Sequence, residues 1–180
     1  MPDTTIVETL YREFEEIKVF LAQSGQASYL STADNNFKKN ILLASASYFE
    51  SRIKKFIEEY TNENSNELVA NFVLNKAISR QYHTYFNWDA KNANTFFSLF
   101  GTDFKNFMTT KIKEDDSVSK SVTDFIELGR ERNRLVHQNF ASFTVEKTAD
   151  EIFETYKSAK TFTDSLPNYF DEFSNNKDKG

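Results

Sequence analysis

VSKSVTDFIELGRERNRLVHQNF, residues 118–140, is the stretch on which the fold turns. Val118, Val122, Phe125, Ile126, Gly129, Val136 and Phe140 recur at intervals of three and four or their sums. That is the spacing of one face of an α-helix, not the alternation of a strand. Arg130, Arg132, Arg134 and His137 lie close together on the same helix. At about 100° per residue, Arg132 lies about 65° to one side of the middle of the apolar stripe and His137 about 75° to the other. Asn133 precedes His137 by one turn, the i, i+4 separation at which helical side chains meet.

Working outward, the same period recurs along the chain. Thr5 and Glu8 form a capping-box pattern ahead of Ile6, Leu10, Phe14, Ile17 and Leu21, and Gly25 is the expected stop. Residues 26–36 are polar and read as a loop. A long helix is expected from about Asn35 to Tyr60, with Leu42, Ala46, Phe49, Ile53, Phe56 and Tyr60 inward. A third follows from Glu67 to Tyr82. After a polar connection at 87–94, short helices are expected at 95–100 and 103–113, separated by Gly101, with Ser117 as an N-cap for the helix quoted above. Thr148 and Glu151 make a second capping box for a last helix carrying Ile152, Tyr156 and Ala159. Pro167 is expected to end it, leaving residues 168–180 as a flexible acidic and polar tail.

Composition agrees with an all-α helical bundle. Four glycines and two prolines in 180 residues leave little material for the turns a sheet needs, and 19 Phe with 8 Tyr provide a large apolar payload. A chain of this length buries roughly 70% of its unfolded surface and needs no staples. The absence of cysteine excludes disulfides and thiolate metal sites. Neither a signal-peptide pattern nor an apolar run of about 20 residues is present, so a cytoplasmic protein is expected. The formal net charge of -5 argues against diffuse nucleic-acid binding, so any RNA contact must be local.

Arg132-Asn133-Arg134-Leu135-Val136-His137 resembles the signature of the HEPN superfamily, an arginine followed four to six residues later by a histidine. The helix from Ile41 to Arg52, ILLASASYFESR, is similar to its counterpart in the RiboL-PSP branch of that superfamily, which is associated with stress and antiphage defence loci. The resemblance covers about residues 35–165, the core of a single domain expected over residues 1–167, a HEPN-like bundle with additional short helices. It implies a metal-independent endoribonuclease in which two protomers join their motif helices. Arg132 and His137 would be catalytic, and RNA would supply its own 2′-OH nucleophile. A toxin or defence effector follows as the biological role, with an antitoxin or other regulatory protein as a conceivable partner. The alternative is a non-catalytic HEPN module for dimerisation or partner binding.

The remaining residues are assigned from their types and positions. Asn133 orients His137 or a phosphate, or is simply a polar residue of the helix face. Arg130 and Arg134 lead RNA toward the site, or are surface charge. Glu50, at the edge of the second helix's apolar stripe, can pair with Arg132, or is solvated. His83 lies among aromatics and reads as structural or exposed; a site joining it to His137 is a weaker alternative. Asp115-Asp116 and Asp171-Glu172 lack the spacing of a calcium loop, and no glycine-rich phosphate loop occurs. No metal and no cofactor are expected.

Overall fold

Thr5 opens the first helix as its capping box predicts. Its Oγ1 accepts the Glu8 N–H at 3.2 Å, and the Glu8 carboxylate accepts the Thr5 N–H at 2.7 Å. The computed structural model describes residues 4–177. Helix α1 (Ile6–Gln23) stops where Gly25 takes a φ of 67°, a left-handed conformation that costs a residue without Cβ little.

The expected loop at 26–36 is helical instead. Helix α2 runs unbroken from Ala27 to Asn64. Its first turns have polar composition because only a narrow stripe faces the protein: Leu30 and Ala33 are half-buried, Phe37 and Ile41 buried. Phe37 stacks on Phe14 of α1 at 3.7 Å between ring centroids, and Lys38 pairs with Asp34 one turn earlier at 2.8 Å. The third expected helix is also revised. Helix α3 (Glu67–Val73) passes into a π-helical turn, Leu74–Ile78, and the chain then breaks at Arg80, whose φ is 61°. The wider turn brings Ile78 into the core, and Tyr85 of the short helix α4 (Tyr82–Tyr85) donates its hydroxyl to the Ala77 carbonyl at 2.7 Å.

Helices α5 (Asn94–Ser98) and α6 (Thr102–Glu114) match the two short segments expected. Helix α7 (Asp116–His137) is capped by Asp115 rather than Ser117: the Asp115 carboxylate accepts the Ser117 and Val118 N–H groups and the Ser117 hydroxyl. Those bonds hold Asp115 below the usual carboxylate range.

Helix α8 (Ala149–Lys177) opens with the Thr148–Glu151 box and continues through Pro167. An interior proline costs about 3 kcal/mol. Tyr169 and Phe170, both buried beyond it, each return about 1.5–3 kcal/mol on leaving water. Phe170 packs against Phe56 and Tyr60 of α2 and against Phe100 and Phe104, so the helix is held by side chains where a hydrogen bond is missing. Residues 168–177 are therefore not a frayed tail; positions 178–180 lie outside the described residues.

Helix α7 packs on α8 more extensively than any other pair, and α2 lies against α1, α7 and α8. Phe49, Phe125, Phe162, Phe97 and Tyr156 fill the space between them with ring centroids about 5–6 Å apart. Among the described residues there is no strand, and no helix is long and apolar enough to cross a membrane.

One close approach fixes the connection between α4 and α5. The Trp88 ring lies over bare α7 backbone, where a Cβ built on Gly129 would come within 1.9 Å of Trp88 Cζ3. Gly129→Ala therefore displaces the indole. A glycine-to-alanine change favours a helix by about 1 kcal/mol, but overpacking of this kind costs about 1–3 kcal/mol or more. We expect a lower thermal midpoint and an altered emission of Trp88, the single tryptophan. A midpoint at or above wild type would mean that the contact is not tight.

Candidate functional site at the end of the motif helix

The buried face of α7 is set by Phe125, Leu128, Gly129 and Leu135. Arg132 lies seven, four and three residues after the first three and three before the last. It therefore occupies the middle of that face rather than its edge. Leu135, 0% exposed, carries the core where the sequence pattern favoured Val136; Val136 and Phe140 are 44% and 45% exposed. His137 is exposed in the last turn.

A guanidinium at a core position needs water or polar partners. A cavity of about 250 Å³ provides the room, lined in part by Ala46, Ser47 and Glu50 of α2 and by Gly129, Arg132 and Asn133 of α7. Arg80, Tyr82, His83 and Trp88, from the irregular segment after the π turn, complete the lining, Arg80 and His83 exposed. Arg132 Nη1 donates to Asn133 Oδ1 at 3.2 Å. Among the described residues Arg132 has no carboxylate within ion-pair distance, while Glu50 is paired with Lys54 at 3.7 Å. Burial pushes the Tyr82 phenol well above its ordinary range; Glu50 raises it further and Arg132 opposes. Glu50 and Arg132 thus meet across one cavity, without the direct ion pair that the sequence suggested.

His137 does not line this cavity, and neither do Arg130 and Arg134. Arg134 makes two bonds to the Glu131 carboxylate, at 2.8 and 2.9 Å, and lies over the Phe143 ring; Arg130 approaches the same carboxylate at 3.8 Å. Both arginines line a separate depression with Glu127, Glu131 and Lys147. His83, exposed like His137, lines the cavity with Arg132 and Asn133, whereas His137 does not. Among the described residues no three His, Asp or Glu side chains gather as a metal site.

Sequence reasoning missed Arg80, Trp88 and Lys39, while Tyr82 stood among the aromatics noted around His83. The glycine within an apolar helical stripe was the available signal for a large side chain crossing at Gly129. Lys39 carried none, since a lysine is expected in solvent. It is 7% exposed, donates from Nζ to the Phe140 carbonyl at 2.6 Å, and sits 4.9 Å from the Phe140 ring centre. It thereby ties α2 to the turn that follows His137. Lys39→Met leaves that carbonyl without its charged donor, a loss of about 1.5–3 kcal/mol for a bond to a charged group. We expect reduced thermal stability together with faster amide exchange at residues 139–143; exchange unchanged there would show that the turn holds without the clamp.

The RiboL-PSP-HEPN family model matches residues 8–172, nearly the whole chain. Comparison with curated proteins and with solved structures returned no significant match. The match spans α2, the cavity and the complete motif helix with its Arg132 and His137. This chain belongs to the RiboL-PSP-HEPN family.

Proposed function

We propose that the protein is an endoribonuclease that needs no metal and acts as a homodimer, in the role of a toxin or of an antiphage or stress defence effector. The observation that carries this reading is Arg132: a half-buried guanidinium in line with the core residues of the motif helix, lining a cavity and with no carboxylate partner at ion-pair distance among the described residues. Such a group is available for a phosphate, and its planar fork matches two phosphate oxygens. His137 lies outside that cavity and exposed. In the proposed reaction a second protomer brings its motif helix alongside, so that His137 of one chain meets the phosphate held by Arg132 of the other. Val136 and Phe140, exposed beside His137, supply apolar surface for that contact.

The chemistry follows from RNA itself. An imidazole takes the proton of the 2′-OH, the 2′-oxygen attacks phosphorus, and the bond to the 5′-oxygen breaks. An imidazolium returns a proton to that leaving oxygen, and guanidinium charge stabilises the phosphorane. The products are a 2′,3′-cyclic phosphate and a 5′-hydroxyl, and DNA is resistant. Asn133 keeps Arg132 oriented, Glu50 supports it across the cavity, and Arg130 and Arg134 are left to steer RNA at longer range.

Incubating a mixed RNA pool with the protein in EDTA tests the reading. Wild type should cleave, with cyclic-phosphate ends. His137→Ala and Arg132→Ala should each lose about 10²-fold or more, the usual effect of removing a general acid–base group or a transition-state donor. Specific activity should fall on dilution below the dimer dissociation constant. A folded dimer that leaves RNA intact would favour the non-catalytic dimerisation or partner-binding module instead.

A further inference from the structure

The segment between the π turn and α5 brings two residues to the cavity that the motif helix does not supply. Arg80 holds a left-handed backbone conformation, φ 61°, which is uncommon for a residue other than glycine, asparagine or aspartate. The π turn immediately before it is a feature found often at functional sites. Together they direct the chain so that Arg80 and His83, both exposed, line the same cavity as Arg132. Neither Arg80 nor Arg132 is paired with a carboxylate at ion-pair distance among the described residues, and the one carboxylate on the wall, Glu50, is itself partnered by Lys54. In a chain of net charge -5 this is a local concentration of positive charge with an aromatic border, Tyr82 and Trp88.

We propose that Arg80 and His83, with Arg132, form an anion subsite within one chain that holds the phosphate of a single nucleotide unit of RNA, its base resting toward Tyr82 and Trp88. This deepens the ribonuclease reading and rests on it for the identity of the polymer. The phosphate lies between two guanidiniums that approach it from different elements, and the His83 ring donates an N–H to a phosphate oxygen. Asn133, already accepting from Arg132, keeps its amide N–H groups free for the ligand. The subsite is complete in a single protomer, whereas the cleavage site requires two.

Trp88 makes the subsite measurable without any catalysis. Uridine 3′-monophosphate, uridine and inorganic phosphate are titrated against the full-length protein, following tryptophan emission and, in parallel, heat by calorimetry. The nucleotide is expected to bind saturably in the millimolar range or tighter, with phosphate weaker and the nucleoside weakest. Arg80→Asn removes the charge but keeps a side chain that tolerates the left-handed backbone. It and His83→Gln should each weaken the nucleotide about tenfold, the scale of one charge-assisted hydrogen bond, with helical circular dichroism unchanged. His137→Ala, outside the cavity of its own chain, should lose cleavage while keeping saturable nucleotide binding. Equal affinity for nucleoside and nucleotide, wild-type affinity in both wall variants, or neither heat nor emission change up to millimolar nucleotide, each overturns the subsite. Binding as expected by a protein that never cleaves RNA would instead retain the subsite and remove the ribonuclease reading.

Discussion

A positive charge on the buried face of α7 is the constraint around which the rest of the site is arranged. An arginine one turn past Leu128 and one turn before Leu135 cannot simply pack; its guanidinium has to reach water, a polar group or an anion. The neighbouring positions yield accordingly. Gly129 has no side chain, α2 presents Ala46 and Ser47, and the chain after the π turn arches over the opening instead of continuing as a helix. The cavity is the shape left when a core helix must accommodate one charge.

Around that charge, aromatic rings do the structural work. Phe125, directly below Arg132 on the same face, touches Phe49, Phe86, Trp88 and Phe162, so the floor of the cavity is continuous with the core joining α2, α7 and α8. The other end of the bundle is closed by Phe170 and Phe104. The site is thus backed by rigid packing, while its outer rim is irregular backbone, a π turn followed by the left-handed Arg80. A firm floor and an irregular rim suit a pocket that must hold a group in one orientation and still let it leave.

Much of this was legible from residue spacing. The helical class, both capping boxes, the stop at Gly25, the pair of short helices and the motif's place in a late helix all follow from period and cap chemistry, each a local property. What was not legible depended on distant partners. The polar start of α2 is helical because Phe37 meets Phe14, and Pro167 is tolerated because Tyr169 and Phe170 find a core. Arg132 was assigned to an edge because Val136 and Phe140 looked inward, whereas Leu135 takes the core position. The motif pointed to Arg132 and Asn133, and the stripe of the second helix to Glu50; all three line the cavity, whereas the motif's His137 does not. Neither signal could reveal Arg80 or Lys39, whose surroundings are made by segments far away in sequence.

The capping of α1 carries a kinetic consequence. Thr5 Oγ1 is bonded to the Tyr156 hydroxyl at 2.8 Å, and the Tyr11 hydroxyl donates to Asp150 at 2.6 Å while its ring stacks on Phe153. Helix α1 is therefore completed by residues 151 and 139 positions later in the sequence. Its own turns and its packing on α2, its neighbour in sequence, can form early, but these two tethers wait for α8 and for closure of a loop comprising most of the chain. Such long-range closure slows folding relative to bundles whose neighbouring helices pair in order.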